Sequence, residues 1–131
     1  MAKWQNDSML DEALNWIKDN CNEMIVCTSQ PTTYAQATDT PASSGYALAD
    51  VAMTASDFTL AAGDTSGRKA TVAQKANVSI DYSGTAQHIA LVGSVSSTNT
   101  LLYVTTCSDQ SLTASNQVTI PAWDIELRDA Q

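Results

Sequence analysis

The chain of 131 residues carries 14 Asp and Glu against six Lys and Arg and one His, a formal net charge of −8. Cations this few and scattered argue against nucleic acid, where clustered basic groups release counterions, and against an anionic membrane surface. No stretch approaches the ~20 apolar residues of a membrane span. His, Cys and Lys supply most catalytic bases and nucleophiles; their scarcity gives the expectation of a non-enzymatic, acidic domain that works through its surface.

The segment from Met1 to Asp7 has no apolar core of the kind a signal peptide needs. Folding in a reducing cytoplasm is the expectation. Cys21, Cys27 and Cys107 are odd in number and lack zinc-ligand spacing, so they read as free, buried small hydrophobes. No metal and no cofactor is expected.

Residues 1–7 read as an N-terminal arm and 8–131 as a single β-rich domain with a leading helix over about 8–20. Ser8 followed by Asp11 resembles a capping box. Leu10, Ala13, Leu14 and Ile17 then form one apolar stripe at helical spacing. After the helix the period changes to two. A strand is expected over 24–28 and another over 46–53, with an exposed loop from Thr32 to Gly45 between them. A short strand or turn at 55–60 places Phe58 in or near the core.

Gly63-Asp64-Thr65-Ser66-Gly67 predicts a tight turn, and alternation returns over 69–74 and 78–82. The run 87–93 is apolar on both faces, which predicts a central strand. Strands at 101–106 and 118–120 follow polar turns, the second around Asp109 and Ala114–Asn116. In the last strand Trp123, Ile125 and Leu127 alternate with Asp124, Glu126 and Arg128. Short strands punctuated by turns imply an antiparallel β-sandwich or a jelly-roll-like barrel.

The loop from Gly63 to Lys69 has three residues between its glycines and then Arg68, so it departs from a phosphate loop. His88 has no triad pattern around it and reads as a core or interface residue. Asp124 and Glu126 share one strand face roughly 7 Å apart. Such a pair suits glycoside hydrolysis, but the strict alternation favours a solvated face or contacts to a neighbouring subunit, with Arg128 alongside. Trp4 either anchors an interface or staples back onto the helix. Tyr34 and Tyr46, flanking the 35–45 loop, are amphipathic and suit recognition.

Several stretches together resemble a family of small tailed-phage virion structural proteins. They are Cys27-Thr28-Ser29-Gln30-Pro31-Thr32-Thr33-Tyr34, Gly63-Asp64-Thr65-Ser66-Gly67-Arg68-Lys69 and Ile120-Pro121-Ala122-Trp123-Asp124-Ile125-Glu126, with Leu101–Thr106 and Gly84–His88. The resemblance runs from about Leu10 onward, and Thr40–Gly45 looks like extra length in the loop. It implies a capsid decoration, or cement, protein. Its partners would be the major capsid protein and copies of itself, as a dimer or trimer, on the capsid surface of a virion made in a bacterial host. A tail or fibre accessory and a carbohydrate-binding module are the alternative readings.

Overall fold

The computed structural model describes residues 5–129. The helix α1 (Asp7–Asn20) leads into nine strands among the described residues: β1 (Cys21–Cys27), β2 (Ala47–Ala52), β3 (Phe58–Ala62), β4 (Arg68–Val72), β5 (Lys75–Ser79), β6 (Gly84–Val95), β7 (Thr98–Leu112), β8 (Gln117–Ile120) and β9 (Trp123–Leu127). A second, five-residue helix α2 (Tyr34–Thr38) sits between β1 and β2. All ladders are antiparallel. Their orders are β2-β1-β6-β7, β3-β4-β9 and β5-β8, the last touching β2 through an Ala49–Ile80 bridge. The architecture is sandwich-like and no barrel closes among the described residues, so of the two expected forms the sandwich is the one that fits.

The start of α1 differs from expectation in a specific way. Asn6, not Ser8, caps it: the Asn6 carboxamide oxygen accepts the Ser8 N–H at 2.8 Å, and Asp7 is already helical. An Asx cap two residues earlier satisfies an orphan N–H of the helix start. That leaves Asp11 free to accept from Arg68 Nε on β4 at 2.8 Å, an ion pair that ties helix to sheet. Leu10 and Leu14 are buried as the stripe requires, with Ile17 packed against the core, but Ala13 lies exposed. The helix runs straight into β1 because Gly93 of β6 lies under the junction. A Cβ at Gly93 would collide with the carbonyl of Asn20.

The main core lies between the sheets. Met24, Val26, Leu48, Ile89 and Leu91 from the four-stranded sheet meet Phe58, Ala70, Val72 and Ile125 from the three-stranded one, with Leu14 of α1 and Val78, Ile80 and Ile120 closing the ends. Each of these side chains except Ala70 gains about 1.5–3 kcal/mol on leaving water. Phe58 takes its expected place in this core. A second cluster, Ile25, Cys27, Ala47, Ala90 and Val92, occupies the other face of the same sheet under Ala37 of α2. These two clusters explain why β6 reads apolar on both faces: it is central, between β1 and β7, with a hydrophobic layer on each side.

Two loops depart from expectation. The 32–45 segment is not irregular throughout: Thr33 caps α2 through its side chain, and a 3-10 turn, Pro41–Ser43, follows. The β6–β7 hairpin is longer than the strand expected over 101–106. Asp109, read as a turn residue, lies inside β7, while Ala114–Asn116 does turn the chain. Free Cys21 and Cys27 are buried and Cys107 half-buried. Burial pushes the Cys21 thiol up to about 11 and the Cys27 thiol up to about 12, which keeps both protonated and inert at neutral pH.

Candidate interaction surfaces

The sequence-derived candidates separate into two surfaces. Tyr34 and Tyr46 pack on the same sheet face. Tyr34 opens α2, Tyr46 immediately precedes β2, and both pack half-buried against the outer cluster of Ile25, Cys27, Ala90 and Val92. The segment is pinned there by the Tyr46 N–H donating to the Gln36 carbonyl at 2.8 Å and by the Thr28 N–H donating to the Tyr46 carbonyl at 2.9 Å. Beside this face runs a groove of about 280 Å³ lined by Gln30, His88, Val104, Thr105 and Thr106. His88 is half-buried there, and its Nδ1 is one of two buried side-chain polar atoms without a hydrogen-bond partner among the described residues. Of the two expected places for His88, core or interface, the unpartnered Nδ1 does not fit a core histidine satisfied within its own domain.

Asp124 and Glu126 lie on the outer face of β9, with Arg128 just past its end, on a different sheet from the one that seats the tyrosines. The β4–β9 ladder sets Thr71 opposite Asp124 and Lys69 opposite Glu126. Thr71 Oγ1 donates to Asp124 Oδ1 at 2.7 Å, and Lys69 Nζ lies 3.4 Å from Asp124 Oδ2 and 2.7 Å from Asp64 Oδ1. The Thr71 hydroxyl and the Lys69 ammonium hold the Asp124 carboxyl below its ordinary range. A glycosidase acid needs the opposite shift. Glu126 accepts from the Thr65 N–H at 3.2 Å and lies 3.6 Å from Arg128 Nε. This face is a network of internal ion pairs that clamps the 63–67 turn to β9. Trp4 lies outside the described residues.

Pattern reasoning missed one surface. Met9 and Trp16, seven residues apart on α1, are 58% and 45% exposed, with exposed Ala13 between them. Residues at i, i+4 and i+7 form a single ridge. Glu12 and Asp19 flank it, both exposed. The signal was present in the sequence. Trp16 falls ~120° from the centre of the Leu10–Leu14–Ile17 stripe, so the spacing that buries those three turns the indole outward.

A further apolar feature lies where the sandwich stays open along β7. Grooves of about 200 and 300 Å³ there share Ile89, Cys107, Ile120 and Pro121 in their linings, and Trp123 lines the larger. Trp123 is half-buried and stacks on Tyr103, and its Nε1 is the second unpartnered buried polar atom. Compared with family models, curated proteins and solved structures, the chain matches none of them.

Proposed function

We propose that this protein is a non-enzymatic virion structural protein, a decoration or cement protein that binds the outer surface of a phage head and stabilises neighbouring capsid subunits. The observation that carries this reading is the display of separate apolar surfaces by one small domain. The Met9–Trp16 ridge belongs to α1 and the Tyr34–Tyr46 face to the outer surface of the four-stranded sheet. A clip that joins neighbours needs two such surfaces on a rigid body, and many weak copies then act multivalently. Exposed Trp and Tyr are the side chains best suited to carry binding energy at modest contact area. The resemblance of the turn and strand sequences to tailed-phage structural proteins supplies the setting, and the net charge of −8 keeps a decorated particle soluble.

Undecorated heads provide the test. Added protein should bind them at saturating stoichiometry and raise their disruption temperature. Trp16→Ala or Tyr34→Ala should weaken binding by about 2 kcal/mol, roughly 30-fold, as for a hot-spot aromatic. Failure of the unmodified protein to bind heads defeats the proposal.

A second reading, carbohydrate binding, is favoured by the packing of Tyr34 and Tyr46 on one sheet face beside the Gln30–His88 groove. Glycan-array binding that vanishes with Tyr34→Ala would support it over the cement role. A tail or fibre accessory would bind tails instead of heads.

A further inference from the structure

The sheet edges of this protein are defended unequally. Proteins block edge-to-edge pairing with charges, prolines, short strands or covering segments. The β2 edge is covered, since the Asp81 and Tyr82 N–H groups both donate to the Leu48 carbonyl. β9 carries Asp124 and Glu126, and β3, β5 and β8 are five, five and four residues long. β7 is defended least: its one charge, Asp109, and its three-residue irregularity lie beyond Thr106, and a single-residue bulge at Leu102 is the only interruption before them. It is an edge strand of 15 residues, and from Thr98 to Thr106 it reads Thr-Asn-Thr-Leu-Leu-Tyr-Val-Thr-Thr, with no charge and no proline.

The register with β6 shows which part of that edge is regular. Thr98–Leu101 and Tyr103–Thr106 pair residue for residue, with Leu102 the one extra residue between them. The wider irregularity falls at 107–109, beyond the neutral run, and Asp109 lies within it. Half of the backbone N–H and C=O groups along an edge strand point away from the sheet. No second strand among the described residues takes them up, because β7 has a single ladder, that with β6.

We infer that two copies of this chain associate by antiparallel pairing of β7 with β7 of the second copy across Thr98–Thr106, joining their four-stranded sheets. Charge selects this occupant. The chain carries a surplus of eight negative charges, so most of its surface repels a second copy, whereas this strand offers a neutral seam to its own twin. A two-fold operation closes the contact, because the same strand is used on both sides. β-strand addition of this kind draws its affinity from main-chain hydrogen bonds. The inference does not depend on the virion setting.

Sedimentation equilibrium of the unmodified chain tests it, with hydrogen exchange read peptide by peptide. The expected result is a reversible dimer of twice 13.9 kDa, with amides of 98–106 becoming more protected as concentration rises. Thr100→Lys/Thr106→Lys, which sets four ammonium groups along the seam, should raise the dimer dissociation constant by about tenfold or more. Thr59→Lys on the exposed face of β3 should leave it unchanged. A monomer at all concentrations, a closed trimer, or a dimer whose β7 amides stay unprotected overturns the inference. Should the double-lysine chain fail to fold by circular dichroism, the concentration dependence of exchange in the unmodified chain decides alone. None of these results bears on whether the protein binds phage heads.

Discussion

Trp123 of β9 stacks on Tyr103 of β7, with ring centroids 6.0 Å apart and planes inclined by 24°. The contact joins the edge of the four-stranded sheet to the edge of the three-stranded sheet, at the side where the sandwich is otherwise open. Offset stacking adds about 0.5–1.5 kcal/mol to the area that the rings bury. Trp123→Ala should therefore cost about 2–4 kcal/mol, less than a fully buried tryptophan would at the upper end. Trp123→Phe should keep most of that. Urea unfolding with an unchanged m-value is the check.

The β6–β7 hairpin turns at Ser96 and Ser97, whose φ angles are +50° and +66°. Two successive left-handed residues define the two-residue turn that suits the twist of paired strands, and Asn-Gly fills it with least strain. Each L-residue held there costs roughly 1–2 kcal/mol. Ser96→Asn/Ser97→Gly should stabilise the fold by about 1–2 kcal/mol, read as a shift in the urea midpoint. A loss of stability would mean the turn is held by something other than backbone preference.

Asp50, on β2, has its carboxyl raised above the ordinary range by burial and by the neighbouring Asp81. A raised folded-state value favours folding only while the group is protonated. That contribution is complete below the ordinary Asp range and is lost as pH rises through the raised value. At neutral pH the Asp50 charge therefore works against the fold. Asp50→Asn should raise the melting temperature near pH 7 and leave it almost unchanged near pH 3, where the native side chain is already neutral.

Asp57 behaves in the opposite sense. Burial pushes its carboxyl up, but Lys75 Nζ at 2.8 Å and the Thr54 N–H at 2.8 Å outweigh this and hold it below the ordinary range. Its contribution is present above the ordinary Asp range and disappears as pH falls through that range and below it. Lys75→Ala should cost up to about 1 kcal/mol at neutral pH. The cost should shrink both in high salt and in acid, as thermal melts across pH would show.

Much of this fold was legible where one residue period served one environment. Leu10, Leu14 and Ile17 gave α1, the two-faced run 87–93 gave a central strand, and Ile125 between Asp124 and Glu126 gave the inward and outward faces of β9. The failures have local causes. α2 spans too few residues for a helical period to register, and it exists because Thr33 caps it and the outer sheet face seats Ala37. Asp11 spent its carboxylate on Arg68, a partner 57 positions away that no capping pattern reveals. Ser108, Asp109, Gln110 and Ser111 have the composition of a turn, yet pairing of the 110–112 stretch with Gly84–Ala86 keeps them in strand. The placing of Tyr34 and Tyr46 on one sheet face depends on where α2 is seated, a tertiary fact. Trp16 needed only the helical wheel.

The most direct test of the cement role is the protein's copy number in purified particles of the source virus, measured by quantitative mass spectrometry on separated heads and tails. The account predicts hundreds of copies per particle, following the major capsid protein into the head fraction. Absence from particles, or a few copies that follow the tails, would contradict it.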